Sequence, residues 1–171
     1  MERGGRYALW PIFMSDTGWS VPDELLAKLW EKMVEEGRAA SLFYDGRVKD
    51  EAEWIAWLKA PGNYPVIVMD AREKKIAAIG WLNNVDKGAA QIHFCMYGLP
   101  DPRMGVKVLE YYSKFPGLHV IVGVTPEHYE TAIRYAKRIG FTETGRVPNM
   151  LHMAYEQRRA GAVITYYEVG R

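Results

Sequence analysis

Cysteine is nearly absent: a chain of 171 residues carries one, Cys95. An internal disulfide is thereby excluded, and one thiol with four scattered histidines is a poor basis for a structural zinc site. Charge of one sign is equally scarce. Twenty-two basic against twenty-one acidic side chains leave a formal net charge of +1, which gives no general attraction to nucleic acid or to an anionic membrane surface. No apolar run approaches the roughly 18 residues of a membrane span, and the opening Met1-Glu2-Arg3-Gly4-Gly5-Arg6 leads into no signal-peptide core. Repeats, linkers and low-complexity tracts are also missing, so residues 1–171 are expected to form a single cytoplasmic domain. What is abundant is apolar: 49% hydrophobic residues against 25% charged, enough to bury a sizeable core.

Hydrophobic spacing divides the chain. Leu25, Leu26, Leu29, Trp30, Met33 and Val34 recur at helical intervals after Pro22 and stop at Gly37, which predicts an amphipathic helix. Ahead of it, Tyr7 to Met14 reads as a strand, and Pro11 assigns it to a sheet edge. Asp50 with Glu53 forms a capping-box pattern for a shorter helix containing Trp54, Ile55, Trp57 and Leu58. Three β-rich segments follow, Val66 to Met69, Lys75 to Leu82 and Ala89 to Tyr97, and predict an antiparallel meander. From Gly98 helix and strand alternate. Asp101-Pro102 opens a helix to about Lys114, and His119 to Val124 is apolar enough for a strand covered on both faces. Thr125 and Pro126 are expected to cap and start a helix that ends before Gly140. Strands from Phe141 and over Ala162 to Val169 complete the chain.

A period of two places Gln91, His93 and Cys95 on one face of their strand and Ile92, Phe94 and Met96 on the other. An imidazole there suits a general base, and equally a packing histidine bonded to a neighbour. Trp54, Trp57 and Trp81 are first of all core, with an apolar pocket wall as the alternative. Arg134, Lys137 and Arg138 make a basic helix face, either solvated or in contact with anions.

The order strand, two helices, three antiparallel strands, helix, strand, helix, strand, strand resembles the GNAT superfamily of acetyl-CoA-dependent acyltransferases. Ala132-Ile133-Arg134-Tyr135-Ala136-Lys137-Arg138-Ile139-Gly140-Phe141-Thr142-Glu143-Thr144-Gly145 is similar to that family's closing helix, with its Ala-Ile pair and Gly-Phe junction. The resemblance implies an α/β (α+β) fold with a mixed, mostly antiparallel central sheet, splayed parallel central strands and helices on both faces. It further implies that the splayed strands admit the pantetheine arm of coenzyme A as a temporary strand, with the pyrophosphate at the next helix N-terminus. Acetyl-CoA is then the acyl donor, no metal is needed, and a small-molecule or peptide amine is the acceptor. The cofactor contacts so implied are Met96, Tyr97, Arg103, Met104, Gly105 and Val106.

The chain departs from the family at two places. The family's loop is Gln or Arg, two residues, Gly, one residue, then Gly or Ala, and here Gly105 alone plainly matches. Pro102 brings no N–H, Asp101 is placed to cap the helix with its own carboxylate and repel a phosphate, and Arg103 is placed to offset part of that repulsion by pairing with a phosphate oxygen. The family's acidic tyrosine falls on Ala136, while Tyr135 lies about 100° further round the helix. His93 and Tyr135 are the catalytic candidates. The expected activity is transfer of an acetyl or similar acyl group to an amine by direct attack in a ternary complex. The alternative is a GNAT-shaped binding module that has lost cofactor capture or turnover. Neither nucleic acid nor membrane is expected as a partner, and a homodimer is among the assemblies open to such a chain.

Overall fold

A computed structural model describes residues 5–170; residues 1–4, most of the charged opening, and residue 171 lie outside the described residues. Helix α1 (Asp23–Glu35) buries Leu26, Leu29, Trp30 and Met33, the spacing that the sequence predicts. Its end is a Schellman-type turn: Gly37 takes φ +67°, and the Arg38 amide donates to the Met33 carbonyl. A short α2 (Ala39–Leu42) follows, and α3 (Glu51–Leu58) is capped by the Asp50 side chain, which accepts from the Glu53 amide.

Strands β1 (Tyr7–Pro11), β4 (Tyr64–Asp70), β5 (Lys75–Asp86), β6 (Ala89–Met96), β7 (Val120–Pro126), β8 (Thr142–Met153) and β9 (Arg158–Glu168) form one sheet. Its order is β1-β4-β5-β6-β7-β9-β8, antiparallel everywhere except between β6 and β7. The expected edge strand, meander and mixed central pair are all present. Successive side chains alternate between two cores. Ile67, Ile79, Trp81 and Cys95 pack with α1 and α3, whereas Val66, Val68, Ala78 and Leu82 pack with α4 (Pro102–Tyr112). Helix α5 (Glu130–Arg138) lies on the same side as α4, so helices cover both faces of the sheet.

Three boundaries differ from the sequence-based expectation. The first strand stops at Pro11, and residues beyond it make a separate hairpin, β2 (Met14–Ser15) with β3 (Gly18–Trp19). Thr125 and Pro126 do not start a helix; they end β7, and α5 begins at Glu130. The cause is pairing with β9, which continues to Pro126 opposite Ala162 and is then extended by Glu127, whose amide donates to the Gly161 carbonyl. A ladder that keeps these backbone groups bonded outweighs the local preference for a proline-led helix start. The last strand likewise begins earlier, at Arg158, because β8 reaches it through a 3-10 turn at Ala154–Glu156.

Candidate functional site

The two parallel strands meet over three residue pairs only, Ala89 with Val120, Ala90 with Ile121 and Gln91 with Val122. Beyond them β6 stays paired with β5 as far as Met96, and β7 stays paired with β9 as far as Pro126, so the central strands part. Each is held by its outer neighbour while the inner edges face an opening. The Tyr97 amide donates to Ala77 on β5; strand alternation therefore turns the N–H groups of Phe94 and Met96 toward the opening. The Glu127 amide points to β9, and the same alternation turns the Val124 N–H inward.

A cavity of about 720 Å³ occupies this opening and takes walls from both faces of the sheet. Glu36, Arg38 and Tyr44 bound it beside α1 and α2; Gly105, Tyr135 and Ala136 bound it beside α4 and α5. It is a passage through the sheet and not a dent in one surface. Glu36 is fixed at its mouth, accepting from Arg38 Nε at 2.7 Å and from the Gly98 amide at 3.2 Å. Tyr129, which precedes α5, and Ser41 on α2 both border it.

His93 also borders the cavity, but its ring belongs to the α1–α3 side. It stacks on Trp81 with centroids 5.2 Å apart and 12° between planes, and meets the edge of Trp57 at 6.4 Å. Nε2 lies 3.2 Å from Asn83 Oδ1; with the Asn83 amide so oriented, Nε2 carries the proton and Nδ1 the lone pair. Burial, and secondarily the Arg47 charge, lower its pKa to about 4, so the ring is uncharged through the neutral range. Trp54, Trp57 and Trp81 pack around Phe43 in the core and do not line the cavity. The Trp81 indole N–H is buried with no partner among the described residues. Cys95 is buried in the same core, its thiol pKa pushed up to about 12 by burial. No group of three metal-ligating side chains occurs among the described residues.

At the start of α4 every donor is engaged. Asp101 accepts from the Arg103 amide at 3.0 Å, and Arg103 Nη2 approaches its Oδ2 at 2.6 Å. The Tyr7 hydroxyl donates to that same Oδ2 at 2.7 Å, with Arg6 Nη1 at 3.8 Å. Arg103 first, then Tyr7, hold the Asp101 carboxyl well below the usual carboxylate range against the opposing effect of burial. The Met104 amide donates to the Asp101 carbonyl. The Gly105 amide, which in an unbroken helix would donate to that carbonyl, instead donates to the Tyr135 hydroxyl at 3.1 Å; the hydroxyl donates to the Asp101 carbonyl at 3.1 Å. Tyr135 is thus inserted into the first turn of α4, and its ring stacks on Phe94 at 5.9 Å. Burial pushes its pKa up.

Of the residues singled out from the sequence, Met96, Gly105, His93 and Tyr135 border one cavity. Tyr97 and Met104 are buried in the two cores, Tyr97 with its hydroxyl on the Leu29 carbonyl. The Arg103 side chain is 65% exposed and Val106 39%, and neither borders the cavity. The sequence reading did not anticipate Glu36, Arg38 or Tyr44; they come from the end of α1 and the loops flanking α2, and no motif marks them. A pantetheine arm fits the opening, with inward amides on both sides. A pyrophosphate does not fit the α4 N-terminus, where carboxylate and phenol already hold the donors.

No protein-family model matches the chain, and no curated protein sequence matches it significantly. Solved structures do. Spermidine N-acetyltransferase from Vibrio cholerae in complex with CoA and spermine is similar at TM-score 0.75 and 12% identity, over 96% of each chain. Ribosomal-protein-S5-alanine acetyltransferase from Vibrio fischeri is similar at TM-score 0.71 and 13% identity, over 98% of this chain and 96% of that one. A dodecameric structure of the Vibrio cholerae spermidine enzyme in an intermediate state gives 0.69 and 13%, over 95% and 94%. At such identities the likeness is one of architecture, and with the parted central strands it establishes that this chain has the GNAT acetyltransferase fold.

Proposed function

We propose that this chain, acting as a single domain, transfers an acetyl or similar short acyl group from a pantetheine thioester, acetyl-CoA being the reference donor, to an amine. The observation that carries the reading is the passage between β6 and β7, open to both faces of the sheet. Such a passage lets a donor arm and an acceptor approach one point from opposite sides, which supplies the proximity that transfer in a ternary complex requires. The acetyltransferase structures of the same fold, one holding CoA and spermine, support it. A reducing cytoplasm suits a protein with one unpaired thiol.

Bound in the opening, a thioester supplies an acyl carbon that an uncharged amine attacks, the C–S bond breaking and the amine's proton leaving with the thiol. The inward N–H groups of Phe94 and Met96 orient the arm, and either of them polarises a carbonyl placed on that edge. Glu36, paired with Arg38, and Tyr44 frame the acceptor mouth. His93 presents an uncharged ring at the wall, and Tyr135 positions α5 against α4. Positioning provides most of the acceleration in this reading, since an acid or base typically contributes only about 10²- to 10⁴-fold.

The closed first turn of α4 favours a second reading, a binding module without turnover. Acetyl-CoA with an amine panel that includes polyamines and N-terminal peptides separates the two when free thiol and melting temperature are both followed. Thiol release is expected, and a donor at 100 times its dissociation constant raises the midpoint by roughly 5 to 10 °C. A raised midpoint with no release from any amine favours the module. No response in either measurement overturns the transferase reading and favours a module that has lost cofactor capture.

A further inference from the structure

We infer that the donor site recognises the pantetheine arm and not the nucleotide diphosphate, so that S-acetylpantetheine serves it about as well as acetyl-CoA. The inference rests on the acyl-transfer reading above. A diphosphate bound at a helix start needs free N–H groups, a favourable charge and room for close approach. At α4 all three are lacking. Pro102 has no N–H, and the amides of Arg103, Met104 and Gly105 are donated to Asp101 Oδ1, the Asp101 carbonyl and the Tyr135 hydroxyl.

The charge there is that of a carboxylate, and the two guanidiniums beside it are already paired, Arg6 with Asp70 at 2.8 Å and Arg103 with Asp101 at 2.6 Å. Room is lacking too, because the open side of Gly105 is filled by Tyr135 and Ile139. The glycine that matches the family's loop here admits protein side chains in place of a phosphate. Arg134 on α5 borders the cavity but is solvent-exposed, and a lone exposed guanidinium gives a weak, salt-screened contact. The arm's own portion is well provided: Val108, Ala136, Ile139 and Phe141 offer apolar wall to its methylene and dimethyl groups. The balance of the transfer is unchanged, because the thiol that leaves with the amine's proton belongs to the arm.

Wild-type protein decides the matter with two donors and one amine. The ratio of kcat/KM for acetyl-CoA to that for S-acetylpantetheine is expected within about tenfold. Pantetheine is expected to raise the melting midpoint about as much as coenzyme A at equal concentration, and adenosine 3',5'-bisphosphate is expected to leave it unmoved. A preference for acetyl-CoA above about 100-fold, or a shift with the bisphosphate alone, overturns this inference and leaves the acyl-transfer reading standing. If neither thioester is consumed and neither thiol moves the midpoint, the acyl-transfer reading falls and takes this inference with it. Asp101→Gly frees the Arg103 amide and guanidinium, and is expected to raise the preference for acetyl-CoA at least about tenfold; an unchanged ratio refutes the account of that turn.

Discussion

Tyr135 stands where a side chain at position 105 would have to go: a Cβ on Gly105 would lie 2.8 Å from the Tyr135 hydroxyl oxygen and 2.7 Å from Ile139 Cδ1. Glycine and phenol therefore form one unit, and they should respond together to mutation. Gly105→Ala is expected to destabilise by about 1 to 3 kcal/mol through overpacking. Tyr135→Phe should cost about 1 to 2 kcal/mol for a lost hydroxyl with two partners. In the double variant the second change relieves part of the first, so urea unfolding should give a coupling of at least about 0.5 kcal/mol. Simple additivity would mean that the hydroxyl is not what crowds position 105.

Asp101 makes stability depend on acid. Its carboxyl titrates lower in the folded chain than in the unfolded one, because Arg103 and Tyr7 stabilise the charged form. Its contribution is therefore whole above about pH 4 and is lost as pH falls toward the native value. Asp101→Asn should be less stable than wild type at about pH 6, and the gap in melting temperature should narrow as the pH is lowered to about 2. A constant gap over that range would assign the effect to shape and not to charge.

His93 acts with the same sign in the adjoining, higher window of pH. The folded chain disfavours its proton, with a pKa of about 4 against 6.5 for a free imidazole. Stability from this group is full above pH 6.5 and declines as pH falls from there toward about 4. An NMR titration of the imidazole should give an inflection near 4. His93→Phe keeps the stack on Trp81 and should remove that part of the decline. An inflection near 6.5 would show the ring hydrated, and would restore it as a base poised for neutral pH.

Ala136 lies on the cavity wall, at the place where the GNAT resemblance of the sequence implies a tyrosine acid. Ala136→Tyr should bring a phenol to the departing thiol and raise kcat by up to about 10²-fold, the low end for acid catalysis. A fall in kcat with an unchanged melting temperature would mean that the phenol occupies space the donor needs.

Cys95, buried and with a thiol pKa raised to about 12, should resist a disulfide reagent in the native state and react only on unfolding. Free-thiol assays on the folded protein should accordingly have no background from the chain itself. Rapid native labelling would show that the cavity, which Cys95 also borders, admits the reagent.

Much of the architecture was legible because its determinants are local. Leu26, Leu29, Trp30 and Met33 announce α1, Pro11 marks the edge strand, and the capping pattern at Asp50 fixes α3. The boundary at Thr125 and Pro126 was not legible, because pairing with residues near Gly161, more than thirty positions away, decides it. The same distinction runs through the site. Asp101 as a cap followed from its neighbours Pro102 and Arg103. The insertion of Tyr135 into that turn depends on how α5 packs on α4, which no spacing within either helix encodes.

The three-pair junction of β6 and β7 has a mechanical side. It divides the sheet into two leaves, β1-β4-β5-β6 and β7-β9-β8, sewn along a short spine at one end. From Val122 to Pro126 the lever is about 13 Å at roughly 3.3 Å per residue, so a pivot of about 5° about that spine shifts its far end by about 1 Å. Small swings of whole leaves, each stiff in itself, thus suffice to set the calibre of the channel.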